Sequence, residues 1–218
     1  MFIPLKSLNP RRAAPVITIL LIVANVLVFF YEASLPPRAE RAAVYTYALV
    51  PAHVPAALAG RGSLVAGLEP LFTSMFLHAS ILHLAGNMLF LWVFGDSVED
   101  ALGHVLYLVF YLSCGVGAGL VHTLTNLSST LPTVGASGAI SGVMGAYMVL
   151  YPRSRVLTLV FIFLVPMPAV ILLGWWFLLQ FLGGMSSATM QAAGGVAWWA
   201  HIGGFLMGAL LVSVLKER

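Results

Sequence analysis

Four long stretches without a charged residue dominate this chain. They run over residues 13–31, 70–95, 101–152 and 156–215, and are 19, 26, 52 and 60 residues long. Because a transmembrane helix needs about 20 apolar residues, these stretches hold one, one, two and two helices. Turns rich in Gly, Ser, Thr or Pro divide the two longest stretches, at residues 125–133 and 183–195. The pattern therefore predicts six membrane-spanning helices.

The composition excludes a soluble globular protein. Only 8% of the residues are charged and 61% are apolar, whereas an ordinary soluble domain has about 25% charged residues. The ten Lys and Arg residues form no basic cluster, so we expect no nucleic-acid partner. A single cysteine excludes an internal disulfide and any multi-cysteine metal site. We predict an all-α, polytopic six-helix bundle in a lipid bilayer.

The charged residues also predict boundaries and orientation. If the N-terminus is cytoplasmic, seven of the ten basic residues fall in cytoplasmic segments, as the positive-inside rule favours. We therefore predict a cytoplasmic N-terminal segment over residues 1–14, a membrane domain over residues 15–216 and two cytoplasmic termini. Short termini are typical of bacterial inner membrane proteins, and we expect that location.

The segments that connect the predicted helices leave two alternatives open. Residues 36–69 are predicted to form a structured outer first loop, but residues 42–60 are charge-free over the length of a span and would give a seventh helix. Residues 156–168 form either a cytoplasmic-side turn or the start of the fifth helix. Residues 184–196 are predicted to be an outer loop that caps a functional site.

Few polar side chains lie inside the apolar stretches, and the cost of an unpaired polar group in lipid makes them informative. They are His78, His83, Asn87, Ser137, Ser141 and His201. At about 1.5 Å per helical residue, His83, Ser137 and His201 lie about 20, 24 and 22 Å from the nearest cytoplasmic charge. In a hydrocarbon layer of about 30 Å, all three fall in the outer third.

Ser137 and His201 at one depth are suited to nucleophilic catalysis. A serine hydroxyl needs a base within hydrogen-bond reach, which a neutral His201 imidazole would supply. Small residues around both positions favour close packing of their two helices. None of the seven acidic residues is predicted at that depth, so such chemistry would use a Ser-His dyad. The alternative is that the GASG sequence at residues 135–138 serves helix packing alone.

An oxyanion site is the second predicted feature. His83 and Asn87 are four residues apart, which places both side chains on one helix face. Gly135 leaves the N–H of Ser137 accessible as a further donor. The alternative is a structural hydrogen bond between His83 and Asn87. His78 and His83 are five residues apart and point to different sides of a helix, and the H-E-x-x-H pattern is absent, so we expect no metal and no cofactor.

Three motifs, taken in order, resemble those of the rhomboid intramembrane serine proteases. They are TSMFLH with HLAGN at residues 73–78 and 83–87, GASG at residues 135–138, and AHIGG at residues 200–204. The resemblance covers residues 15–215 and implies the six-helix rhomboid fold. It also implies substrates that are transmembrane segments of other proteins, cut near the outer face.

The resemblance assigns a role to each matching position. Ser137 is the implied nucleophile, and His201 is the general base and then the general acid. The N–H of Ser137 and the side chains of His83 and Asn87 bind the oxyanion, with support from the residues around them, namely His78 and Gly135.

Two further positions bear on the comparison with the family. The aromatic residues of the fifth helix resemble the side through which family substrates enter: Trp175, Trp176 and Phe177. Ser141 stands one turn after the nucleophile, where many members carry an aromatic residue against the imidazole, so the sequence leaves the orientation of His201 open.

The resulting hypothesis is an intramembrane serine endopeptidase that acts through a Ser-His dyad, with its site open to the outer side. The alternative is a noncatalytic rhomboid-like protein that binds membrane clients. A small transporter is a third class, for which paired charges or broken helices near the midplane are expected.

Overall fold

Helices with largely apolar surfaces make up most of the fold. The protein structure, a computed structural model, describes residues 2–10, 12–187 and 196–215. In chain order, the elements are strand β1 (Phe2–Ser7), helices α1 (Val16–Ser34), α2 (Pro37–Tyr47), α3 (His53–Leu58), α4 (Leu64–Leu68) and α5 (Pro70–Thr73), a 3-10 turn (Ser74–Phe76), helices α6 (Ile81–Leu102), α7 (His104–Thr125) and α8 (Ser137–Leu150), strands β2 (Arg155–Val160) and β3 (Phe163–Pro168), and helices α9 (Ala169–Ser187) and α10 (Trp198–Leu215).

Helices stand at all six predicted positions, and the predicted class of helical membrane bundle is confirmed. Among the described residues, five helices are long and apolar enough to cross a membrane, namely α1, α6, α7, α9 and α10. The sixth, α8, has only 14 residues and spans about 21 Å, less than a hydrocarbon layer of about 30 Å. The prediction of six full spans is therefore corrected to five spans and one shorter helix.

The short helix α8 lies at the centre of the bundle. Every residue from Gly138 to Tyr147 is buried, and α8 packs against α6, α7 and α10. Non-helical residues 132–134, which precede α8, line a cavity. Irregular backbone at membrane depth is tolerated where protein or a polar cavity surrounds it. The first residue of α8, Ser137, lines the same cavity.

Glycines bring α8 and α10 into close contact. A Cβ atom on Gly204 would overlap the carbonyl oxygen of Gly138, and one on Gly208 would overlap the carbonyl oxygen of Gly142. The two backbones thus touch along small-residue faces, which is a common solution in lipid, where helix association depends on tight packing. This contact sets the distance between the outer ends of the two helices.

The first loop contains helices rather than a seventh span. Residues 42–60 are divided between the end of α2 and the whole of α3, which excludes the seven-helix alternative. A short antiparallel bridge between Leu49 and Thr133, with N–H to oxygen distances of 3.0 and 2.8 Å, joins the loop to the segment before α8. The loop is therefore anchored beside the start of that helix.

The buried carboxylate of Glu99 joins helices at one end of the bundle. We call this end, where α1 and α7 begin and α6 ends, the inner end, and the opposite end the outer end. The carboxylate of Glu99 on α6 accepts hydrogen bonds from the N–H of Ile17 at 2.7 Å, and from the N–H and hydroxyl of Thr18 at 2.8 and 2.7 Å. Its other neighbour is the ring nitrogen Nδ1 of His104 at 2.6 Å. The N-cap residue of α1, Pro15, gives no side-chain cap, so Glu99 supplies the acceptor that the first N–H groups of this helix need.

A three-stranded antiparallel sheet, which the sequence did not predict, packs on the inner half of the bundle. Its strand order is β1-β2-β3, and residues 156–168, predicted as a turn or a helix start, form most of the β2–β3 hairpin. Pro166 and Pro168 disfavour a helix in this segment, whereas prolines are tolerated in an edge strand such as β3. Ser7 at the end of β1 bonds the hydroxyl of Tyr147 on α8 at 2.7 Å.

The position of β1 is fixed by its neighbours. Phe2 and Pro4 line a cavity of about 260 Å³ with residues of α6 and α9 that include Phe90 and Trp176. The strand therefore lies beside the inner parts of these two helices. The predicted N-terminal segment, residues 1–14, includes β1, and its cytoplasmic location stays a prediction, as do the other domain boundaries. Of the predicted cap loop, residues 184–187 belong to α9, 188–195 lie outside the described residues, and 196 precedes α10.

Candidate active site

A cavity of about 610 Å³ lies between the outer parts of the helices. Its lining comes from α6, residues 132–134 and helices α8, α9 and α10. Four of the predicted site residues contribute to it, namely His83, Asn87, Ser137 and His201, and Trp176 forms part of the wall. Two other predicted site residues, His78 and Gly135, are not part of this lining but lie against His83.

Ser137 is the first residue of α8. The N–H groups of a first helical turn have no acceptor within the helix and carry the positive end of its dipole. Gly135 lies two residues before Ser137. It has φ +125° and donates its N–H to the carbonyl oxygen of Ser74 at 2.9 Å. That backbone conformation, which favours glycine, turns the chain into α8 and leaves the side chain of Ser137 in the cavity wall.

His201 lies one turn into α10, opposite the start of α8. Its ring nitrogen Nε2 is 2.8 Å from the hydroxyl oxygen of Ser137. The glycine contacts between α8 and α10 make this separation possible, because larger residues at Gly204 would push the helices apart. A serine hydroxyl within hydrogen-bond reach of an imidazole is the arrangement that activates a serine nucleophile.

The sequence prediction missed Gln180, which is the second partner of His201. Its side-chain oxygen lies 2.7 Å from Nδ1 of His201, and the residue is only 7% exposed. The detectable signal was a glutamine within the apolar stretch of α9, where a polar side chain needs a buried partner. Its proximity to His201 depends on the packing of α9 against α10, which the sequence does not show.

His83 and Asn87 lie on one face of α6, as their spacing predicts. The hydroxyl of Ser80 caps this helix by accepting the N–H of His83 at 3.1 Å, which places His83 in the first turn at the cavity. The side-chain nitrogen of Asn87 is buried without a hydrogen-bond partner in the described part of the chain. A Cβ on Gly135 would be 2.7 Å from the ring of His83 and 3.6 Å from that nitrogen, so only a glycine fits between these donors and α8.

His78 lies behind His83 and outside the cavity. It is 6% exposed, and its ring meets that of His83 edge-on with centroids 5.1 Å apart. Neither of its two ring nitrogens has a hydrogen-bond partner among the described residues.

The three aromatic residues predicted as a substrate gate have different environments. Trp176 lies beside the imidazole of His201, with centroids 5.9 Å apart, and lines the cavity. Phe177 packs on Phe205 at 4.8 Å, and Trp175 is about half exposed. Ser141 bonds the carbonyl oxygen of Ser137 at 2.6 Å, so Trp176, and not the residue at position 141, is the aromatic neighbour of the imidazole.

Comparison with known proteins identifies the family. The model of the Rhomboid domain matches residues 66–218, which is more than half of the chain and includes every residue of the cavity. This chain belongs to the rhomboid family. The resemblance of its motifs is thereby confirmed, while the roles of the individual site residues stay predictions.

Relatives of this rhomboid are known from yeast, human and plant. Rhomboid protein 1, mitochondrial, of Saccharomyces cerevisiae is 33% identical over 147 residues, 63% of this chain and 39% of that protein. The Homo sapiens Presenilin-associated rhomboid-like protein, mitochondrial, is 32% identical over 160 residues, 68% and 38% of the two chains. RHOMBOID-like protein 6, mitochondrial, of Arabidopsis thaliana is 36% identical over 148 residues, 66% and 43%. The chain spans about two fifths of the length of these relatives.

The names of these relatives contradict the expectation of a bacterial inner membrane. All three are named as mitochondrial proteins, and none of them is a bacterial protein. The expectation was wrong because it relied on short termini, which do not identify a membrane, and the positive-inside rule reports only orientation across whichever membrane it is. The multi-pass membrane location is supported by the five apolar helices.

Proposed function

We propose that this rhomboid is an intramembrane serine endopeptidase that hydrolyses peptide bonds in or near transmembrane segments of other proteins. The observation that carries the proposal is the 2.8 Å contact between the Ser137 hydroxyl and Nε2 of His201 at the wall of the outer cavity. Family membership and the mitochondrial rhomboid relatives support the same class of activity.

The first half of the reaction would form an acyl-enzyme. Nε2 of His201 takes the hydroxyl proton while the oxygen of Ser137 attacks the substrate carbonyl carbon, which gives a tetrahedral intermediate. The imidazolium then donates that proton to the leaving amine as the peptide C–N bond breaks. In the second half, His201 takes a proton from water, which attacks the ester, and returns it to Ser137 as the new carboxyl product leaves.

Three donors around the cavity suit the oxyanion of the tetrahedral intermediate. They are the N–H of Ser137 at the start of α8, the side-chain nitrogen of Asn87 and the ring of His83. The nitrogen of Asn87 lacks a partner in the described structure, and a buried donor of this kind is costly unless a ligand or water accepts from it. A preorganised donor that finds its acceptor as charge develops stabilises the transition state selectively.

The geometry also favours substrates that come from within the membrane. Ser137 begins a helix about 9 Å shorter than the hydrocarbon layer, so its hydroxyl lies within the reach of transmembrane segments. A helical segment hides its peptide bonds within its own turns, and cleavage needs it to unwind locally. Trp176 is the one aromatic residue of the predicted gate that lines this cavity, and we place the entry of the substrate segment beside it.

Cleavage of a model transmembrane segment by the protein in liposomes tests the proposal. We expect cleavage by the wild type and none by Ser137→Ala or His201→Ala. Ser213→Ala, which alters an exposed serine on the same helix as His201, is the matched control and is expected to cleave as the wild type does. A folded Ser137→Ala protein that still cleaves would contradict the proposal. Binding of the segment by wild type without cleavage would favour the noncatalytic alternative.

A further inference from the structure

His201 has hydrogen-bond partners on both sides of its ring. On one side Nε2 meets the hydroxyl of Ser137 at 2.8 Å, and on the other Nδ1 meets the side-chain oxygen of Gln180 at 2.7 Å. Gln180 comes from α9, a different helix from either Ser137 or His201. Three separate helices therefore contribute to one line of contacts across the site.

The direction of these hydrogen bonds follows from the far end of the glutamine. Its amide nitrogen donates to the carbonyl oxygen of Trp176 at 3.3 Å. A carbonyl oxygen can only accept, so the NH₂ group must face Trp176 and the amide oxygen must face His201. The amide oxygen can also only accept, so Nδ1 of His201 carries the proton. The lone pair of Nε2 is then free to accept from the hydroxyl of Ser137.

We propose that Gln180 is a positioning residue that selects this tautomer of His201 and fixes the plane of its ring, an inference that rests on the proposed serine protease function. In the opposite tautomer Nε2 would carry the proton and could not remove one from Ser137. The carbonyl oxygen of Trp176 thus determines, through Gln180, which nitrogen of the imidazole acts as the base. The indole ring of Trp176, 5.9 Å from the imidazole between centroids, restricts the ring from one side.

The uncharged side chain of Gln180 suits the buried position beside the His201 imidazole. Among the described residues, the titratable groups whose charge acts on the imidazole are two further histidines, His83 from α6 and His122 from α7, and Gln180 itself is buried. A carboxylate would carry a charge into a poorly solvated layer at a large desolvation cost, whereas an amide orients the imidazole without one. An amide also stabilises the imidazolium less than a carboxylate would, and this difference makes the proposal testable.

The test compares Gln180→Leu and Gln180→Glu with Leu182→Ala, a control at an exposed position of the same helix. The readouts are the rate at which a fluorophosphonate probe labels Ser137 as a function of pH, and the ¹⁵N shifts of the His201 imidazole. Gln180→Leu is expected to slow labelling by about 10- to 100-fold, the range seen when a metal-bound histidine loses the partner of its other ring nitrogen, and to leave the proton shared between both ring nitrogens. In the wild type the shifts are expected to show a protonated Nδ1.

The glutamate variant separates positioning from a merely structural role. A carboxylate stabilises the imidazolium, so Gln180→Glu is expected to label well at high pH and to lose labelling at a higher pH than the wild type as the medium is acidified. Labelling that falls only in proportion to the unfolded fraction in both variants, with an unchanged pH midpoint, would overturn the proposal. So would an unprotonated Nδ1 in the wild type. A wild type that shows the protonated Nδ1 but reacts with neither probe nor substrate would instead refute the serine protease function.

Discussion

The two ends of the bundle differ in whether their buried polar groups have hydrogen-bond partners. At the inner end the carboxylate of Glu99 has four hydrogen-bond donors around it, and Ser7 bonds Tyr147. At the outer end the side-chain nitrogen of Asn87 and both ring nitrogens of His78 have no partner among the described residues. The outer end also holds the larger cavity, of about 610 Å³.

This difference indicates that the inner end contributes mainly to the stability of the fold and the outer end mainly to the reaction. A buried polar group that is fully paired holds its elements together, whereas an unpaired one costs free energy of folding and persists where a ligand or a transition state uses it. The inner end thus fixes α1 against α6 and β1 against α8, and at the outer end Asn87 keeps a donor available for a substrate. Changes at the outer end should therefore lower the rate at constant stability, and changes at the inner end should do the reverse.

The largest expected effect is that of His201→Ala. Loss of the base should lower cleavage by about 10⁴-fold, near the upper range for general-base catalysis. The unfolding midpoint in detergent should fall only modestly, by the cost of leaving the buried side-chain oxygen of Gln180 unpaired, which is far too little to explain the loss of cleavage. His53→Ala, at an exposed histidine in the first loop, is the control and should retain full activity. Substantial cleavage by folded His201→Ala would contradict the proposal that the reaction takes place at the outer end with His201 as its base.

A smaller effect is expected for Asn87→Ala. Removing one oxyanion donor should reduce kcat by about 10²-fold, without a loss of stability, because the nitrogen that disappears has no partner to lose. Asn25→Ala provides the contrast: the side-chain nitrogen of that buried asparagine on α1 donates to the carbonyl oxygen of Leu21 at 2.7 Å, although its oxygen has no partner among the described residues, and its loss should change stability and not rate. Equal rates for Asn87→Ala and wild type would remove Asn87 from the oxyanion site.

At the inner end, Glu99→Gln should destabilise the protein while each folded molecule keeps its activity. The amide has one acceptor oxygen instead of two and turns an NH₂ group toward N–H donors, so we expect a loss of about 2 kcal/mol in the free energy of unfolding. Urea titration followed by circular dichroism measures it. Glu69→Gln changes an exposed carboxylate and should leave both quantities unchanged. A rate per folded molecule that falls with Glu99→Gln would show that the two ends are coupled.

The smallest effect is expected for Ser7→Ala, which removes the 2.7 Å bond between β1 and Tyr147. A single buried hydrogen bond of this kind contributes about 1 kcal/mol. The same titration should resolve this loss, and cleavage should be unaffected. A change in cleavage without a change in stability would mean that β1, which lies beside α6 and α9, influences the site directly.

The sequence predicts the features that show as a difference between a residue and its neighbours along the chain. Charges absent over about 20 residues mark helices, and polar residues such as His83 and Ser137 stand out against apolar surroundings. The i+4 spacing of His83 and Asn87 places both on one face without knowledge of the fold. These local signals led to the helix positions and to four of the residues that line the cavity.

The missed features depend on contacts between distant segments. Strand β1 pairs Phe2 with Val160, and no periodicity within an apolar run reveals such a pairing. The short length of α8 follows from the non-helical residues before it, and the contact of Gln180 with His201 follows from how α9 packs on α10. The charge pattern bears on orientation across a membrane and not on which membrane it is, so it could not correct the expected location.

The most direct test of the central claim is to map the site of labelling. Wild-type protein in liposomes is treated with a fluorophosphonate probe, digested and analysed by mass spectrometry, with Ser213→Ala and Ser137→Ala treated in parallel. The account predicts one adduct on Ser137, present in wild type and Ser213→Ala and absent from Ser137→Ala. An adduct on another serine, or none on a wild-type protein that cleaves its substrate, would contradict it.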